Sequence, residues 1–155
     1  MEVNIIAYTP AYRTAFKALN EQWISANFKM EDSDYKALDN PDDYIISNGG
    51  YILVALYNHE PVGVCALIRM DDPEYDYEMA KMAVSPAVQG KGIGWLLGQA
   101  IISKAKAAGC KNLYLESNTI LAPAIRLYEK LGFQRIEGRA TPYQRCNIQM
   151  KLAIV

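Results

Sequence analysis

The pattern of the chain changes at Ser85-Pro86, and that change most constrains the fold. From Tyr51 to that point strand-like runs dominate; beyond it apolar residues recur at helical spacing. The junction is Gln89-Gly90-Lys91-Gly92-Ile93-Gly94. Glycines there let the backbone turn sharply and let a ligand come close to it. The N–H groups of the first helical turn open into the same space with partial positive charge, which suits a phosphate. Lys91 either adds a cation there or faces water.

The elements on either side follow from spacing. Val3–Tyr8 reads as a first strand, and Thr9-Pro10 as a helix start whose apolar face is Tyr12, Phe16, Leu19 and Trp23. Glu31–Leu38 is a second short helix, broken by Asn40-Pro41, with one more turn over Asp42–Ser47. After the turn Asn48-Gly49-Gly50, Tyr51–Tyr57 and Pro61–Met70 form a hairpin around Asn58-His59-Glu60. Glu74–Val84 adds a third antiparallel strand. Ile93, Leu96, Leu97, Ala100, Ile101 and Ala108 stripe a helix that stops at Gly109. Lys111–Glu116 is a strand. Pro123 opens a helix striped by Ala124, Leu127, Tyr128 and Leu131 and ended by Gly132. Gln134–Gly138 and Asn147–Ile154 close the chain. This order predicts an α/β fold of the α+β type, with a central mixed, mostly antiparallel sheet flanked by helices. At 155 residues the expectation is one domain, 1–155.

Charge and composition exclude several classes of function. Sixteen Lys and Arg against seventeen Asp and Glu leave a net charge of −1, a poor match for nucleic acid. No apolar run approaches the ~20 residues of a membrane span, and Met1–Pro10 lacks the pattern of a secretory leader. Cys65, Cys110 and Cys146 are odd in number and far apart, which predicts reduced thiols in a cytoplasmic protein and no metal site. The single histidine, His59, falls in the hairpin turn and reads as structural or incidental rather than catalytic.

The glycine loop fits neither common nucleotide fingerprint. A P-loop requires GxxxxGK followed by Ser or Thr, which is absent. In GxGxxG terms, Gly92 and Gly94 are followed by Gly98, one residue too far. Instead Gln89-x-x-Gly92-x-Gly94 resembles the coenzyme A pyrophosphate loop of the GNAT superfamily, the Gcn5-related N-acetyltransferases. Lys81-Met82-Ala83-Val84-Ser85-Pro86 is similar to the strand that leads into that loop. Leu127-Tyr128-Glu129-Lys130-Leu131-Gly132-Phe133 is similar to the family's late helix and following turn. The resemblance is strong from Tyr51 onward and weak in the first third.

The resemblance implies acetyl-CoA as cosubstrate, no metal, and direct attack by an amine in a ternary complex. It implies that the backbone N–H groups of Gln89, Gly90, Lys91, Gly92, Ile93 and Gly94 hold the pyrophosphate. Met82, Ala83 and Val84 would line the pantetheine arm, with the Met82 N–H polarising the thioester carbonyl. Tyr128 would protonate the departing thiolate, or else only pack on its helix stripe. Glu78, eleven residues before Gln89, matches the catalytic glutamate of the histone-modifying branch. It is either a general base or a solvent-facing carboxylate. Period two places Glu78, Ala80, Met82 and Val84 on one face. The family's usual Asn, seven residues before the tyrosine, is here Leu121. Asn118 either substitutes for it on the pantetheine arm or caps a turn.

The implied partner is a primary amine, on a small molecule or a peptide. Glu31, Asp32 and Asp34 near Trp23 and Phe28, and the run Asp71, Asp72, Glu74, Asp76 and Glu78, would suit a cationic acceptor. A homodimer is compatible with the resemblance. The competing class is a non-catalytic acyl-CoA-binding sensor or regulatory domain.

Overall fold

The computed structural model describes residues 2–154. The elements are β1 (Val3–Ala7), α1 (Arg13–Ser25), α2 (Asp32–Asp39), β2 (Tyr51–Tyr57), β3 (Glu60–Arg69), β4 (Tyr77–Val84), α3 (Ile93–Ala107), β5 (Asn112–Ser117), α4 (Ala122–Leu131), β6 (Gln134–Ile136) and β7 (Ile148–Ala153). The seven strands form one sheet in the order β1-β2-β3-β4-β5-β7-β6. Only the β4–β5 pair is parallel; the others are antiparallel. The α/β fold read from the sequence is therefore the one observed.

The sheet divides the core in two. Ile93, Leu97, Ile101 and Ala105 recur every four residues along α3 and pack against Cys65, Leu67 and Met79 on one face. Gly98 lets α3 and α4 approach closely: a Cβ there would lie 2.5 Å from Leu131 Cδ1. On the other face Phe16 and Ile24 of α1 and Leu38 of α2 cover Val54, Val64, Ala66 and Ala83. Among the described residues no helix is long and apolar enough to cross a membrane.

Element ends differ from the spacing where side chains or turns intervene. The β4 strand begins at Tyr77 rather than Glu74, because Asp72 Oδ2 accepts the N–H groups of Glu74 (2.9 Å) and Tyr75 (3.1 Å) and bends the chain. The first helix is preceded by a short 3-10 turn at Pro10–Tyr12, and Thr9 makes no side-chain cap. Asn58 and His59 both have positive φ, 49° and 69°, the tight hairpin geometry that returns the strand at Glu60.

Candidate active site

Two features of β4 build the site. The first is its brief contact with β5. Only Tyr77–Leu113 and Glu78–Tyr114 are in register; beyond them the two strands separate. The parallel edge of β4 from Ala80 onward therefore opens onto a gap.

The second feature is a bulge. Lys81 has φ +54°, rare for a side-chain-bearing residue, and the β3–β4 register slips between Ala66–Ala80 and Val64–Ala83. The slip reverses the alternation. Glu78 lies opposite Ile68, which packs with the α1 half of the core. Met82 and Val84 pack with the α3 half. The period-two expectation that these residues share a face with Glu78 is thus corrected: the extra residue at the bulge turns them over.

The gap holds two cavities. One, of about 350 Å³, is a mostly apolar groove running from the glycine loop past Val84 and Met82 to Leu127 and Tyr128 of α4. The other, of about 110 Å³, is lined by Trp23 of α1 and Phe28 just beyond it, by Glu78 and Lys81 of β4, by Glu116, and by Tyr143 and Arg145. Trp23, Met82 and Tyr128 line both.

Loop geometry at the outer end of the groove fits a phosphate. Gly90 and Gly92 have φ of +82° and +77°, and nothing lies within 4 Å of where a Cβ would stand on either. Gly92 precedes α3, whose first turn has no side-chain cap and no acidic residue. Leu96 donates to Gly92 O at 3.1 Å, so the N–H groups of Ile93, Gly94 and Trp95 precede the first intrahelical bond. Gln89, Gly90, Gly92, Ile93 and Gly94 border the groove. Lys91 does not; its ammonium sits 5.8 Å from the centre of the Tyr57 ring. Ala83 also turns away, buried against α1, so any contact it makes to the groove is through its backbone.

Tyr128 packs its ring edge-on to Phe133 at 6.3 Å. Burial pushes its phenol well above the usual range, with Cys65 adding in the same direction, so it stays protonated near neutral pH. Glu78 is pushed up to about 8, chiefly by burial and further by the neighbouring Glu116 charge, with Lys81 opposing.

Asn118 is tied into a turn. It donates to Arg145 O at 2.6 Å and accepts from Ile120 N at 2.9 Å, and it borders the smaller cavity rather than the groove. Both ends of its side-chain amide are thus engaged by backbone.

The acidic segments are largely spent. Asp34, fully buried, accepts from Lys81 Nζ (2.7 Å), from both Arg145 Nη atoms (2.6 Å each) and from Glu31 N (2.9 Å). Burial alone would raise this carboxyl; hydrogen bonds from Arg145 and Lys81 outweigh it and hold it at about 2. Glu31 accepts from Gln144 N at 2.9 Å and faces Arg145 at 3.4 Å. Asp72 pairs with Arg139 at 2.7 Å, and Asp76 caps Lys111 N at 2.8 Å. Of both runs only Glu78 borders the smaller cavity, which corrects the expectation of a broad acidic acceptor wall.

Lys81, Glu116, Tyr143 and Arg145 were not legible as site residues. Only Lys81 carries a signal, a cation three residues after Glu78 in a strand that is otherwise apolar. Tyr143 and Arg145 depend on how residues 137–147 fold back across the site, and Glu116 on the pairing of β5 beside β4. Among the described residues no group of three or more His, Cys, Asp or Glu side chains is placed to hold a metal ion.

Comparison with known proteins agrees with this geometry. The model of the GNAT acetyltransferase family matches residues 13–133. The uncharacterized N-acetyltransferase YjgM of Escherichia coli is 35% identical over 100 residues, 63% of this chain and 60% of YjgM. The N-alpha-acetyltransferase RimI of Mycobacterium tuberculosis is 34% identical over 84 residues, 54% of this chain and 51% of RimI. The matches thus span about half to three-fifths of these relatives. A GNAT acetyltransferase structure from Staphylococcus aureus superposes with a TM-score of 0.87 at 23% identity, covering 98% of this chain and 99% of that one. The acetyltransferase yncA of Salmonella typhimurium, solved with acetyl-CoA, gives 0.76 at 21% identity over 97% and 93%. With the family model covering most of the chain and the fold matched from end to end, the chain belongs to the GNAT family of acetyltransferases.

Proposed function

We propose that this chain transfers the acetyl group of acetyl-CoA to a primary amine by direct attack within a ternary complex. The observation that carries the reading is the meeting of the two cavities at Met82 and Tyr128, below a loop suited to phosphate. The apolar lining of the groove suits a pantetheine arm, and the smaller cavity has room for an amine.

In this reading the N–H groups around Gly90–Gly94 hold the pyrophosphate. The backbone of Met82–Val84 pairs with the arm, and the Met82 N–H faces the thioester oxygen as charge develops there. Glu78, ionised, takes a proton from the acceptor ammonium; the freed lone pair attacks the carbonyl carbon. The carbon–sulfur bond breaks, Tyr128 gives its proton to the thiolate, and the proton shed by the new amide nitrogen restores the phenol. The pKa near 8 for Glu78 suits that exchange, because it lies close to working pH.

Calorimetric titration with acetyl-CoA, followed by thiol release across a panel of amines, tests the reading. Binding with amine-dependent CoA release supports it. Binding without release for any amine or peptide favours a sensor, and absence of binding removes the phosphate-loop argument.

A further inference from the structure

Glu116 lies two residues beyond Tyr114 on β5, and Tyr114 is the register partner of Glu78. Side chains two apart on a strand share a face. Glu78 and Glu116 therefore line one cavity from adjacent strands, yet their hydrogen bonding is opposite.

Tyr114 Oη donates to Glu116 Oε2 at 2.7 Å, and Thr141 Oγ1 donates to Oε1 at 2.7 Å. Each hydroxyl also accepts: Tyr114 Oη from Gln149 Nε2 at 2.8 Å, Thr141 Oγ1 from Tyr143 N at 3.2 Å. A hydroxyl has one proton, so with an N–H on its acceptor side that proton points to Glu116. Both carboxylate oxygens of Glu116 therefore act as acceptors. Among the described residues no protein group donates to Glu78.

The charges around the cavity leave Glu116 unneutralised. Lys81 on β4 and Arg145 from residues 137–147 are matched by Asp34 and Glu31. Tyr114, Tyr128, Tyr143 and Cys146 are neutral near pH 7, and α1 presents the uncharged Asn20 and Trp23. Among the described residues no cation pairs with Glu116.

We propose, on the acetyl-transfer reading above, that Glu116 is a positioning residue. It is a fixed negative charge that draws in the acceptor's ammonium and leaves Glu78 as the group that exchanges the proton. The acceptor class that fits is a cationic primary amine with no anionic group beside the nitrogen. An α-amino carboxylate would bring its own charge against Glu116.

Carboxyl-labelled ¹³C-glutamate gives a readout independent of turnover. The Glu78 resonance, identified by its loss in Glu78→Gln, is followed against pH in wild type, Glu116→Gln and Thr141→Val. The expected midpoint in Glu116→Gln is lower by roughly half a unit to one unit. Thr141→Val, which keeps the carboxylate and removes one donor, moves it the same way by less. The acid limb of kcat/KM shifts with the resonance, and KM for the amine rises in Glu116→Gln. An unchanged Glu78 midpoint in both variants overturns the assignment. A shifted midpoint with no amine-dependent CoA release keeps the carboxylate pair and overturns the acetyl-transfer reading instead.

Discussion

Glu78 and Met82 stand four residues apart on one strand and on opposite faces of the sheet, because Lys81 between them adopts left-handed backbone. The bulge gives each face one task. Glu78 borders the smaller cavity, and Met82 turns toward the groove. Lys81 itself is pinned by Asp34, so a buried ion pair and a backbone irregularity hold the site's two halves in place.

Asp34 is expected to be the most sensitive position for stability. Asp34→Asn leaves Lys81 and Arg145 without their shared counter-charge, a loss of about 3–5 kcal/mol by analogy with broken buried pairs. The carboxyl is held at about 2 against an ordinary 3.8. Its stabilisation is therefore present above 3.8 and lost as pH falls through about 2. Urea unfolding of wild type and variant across that range measures both effects.

Glu78 is expected to set the acid limb of the rate profile. With its carboxyl at about 8, kcat/KM rises with pH and levels off above that value. Glu78→Gln loses the limb and roughly 10²-fold or more in rate. Stability moves the other way. Across the window from 4.5 to about 8 the unfolded chain has released a proton that the folded chain keeps. Wild type therefore loses stability as pH rises through it, and Glu78→Gln does not. Rate profiles and denaturant midpoints at matched pH values check the two signs.

Tyr128→Phe removes the phenol and keeps the ring on Phe133. The expected result is a fall in kcat of roughly 10²-fold with acetyl-CoA affinity unchanged. Calorimetry alongside steady-state rates separates the two quantities.

Gly92→Ala has room for its methyl group but not the preferred backbone, at φ +77°. The strain is about 1–2 kcal/mol, and relaxing it reshapes the loop. Acetyl-CoA binding is expected to weaken by roughly 5- to 30-fold, read by calorimetry, while the amine's KM changes little.

The sheet and helices were legible because period two and helical spacing are local signals, as along Ile93, Leu97 and Ile101. The glycine loop was legible for the same reason. The face of Met82 was not, because alternation fails at a bulge and Lys81 carries no glycine to mark it. Nor was the fate of the acidic residues. Glu31 and Asp34 meet Arg145 across more than a hundred residues of chain, a contact that spacing does not reveal. Asn118 left two readings open because it stands three residues before Leu121, where the family's Asn falls.

Thiol release from acetyl-CoA, measured with and without a small primary amine in wild type and Tyr128→Phe, is the decisive test of acetyl transfer. Release is expected to require the amine, to yield the acetylated amine in equal amount, and to slow roughly 10²-fold in the variant. Acetyl-CoA that binds and stays intact with every amine offered, or release at the same rate without one, would contradict it.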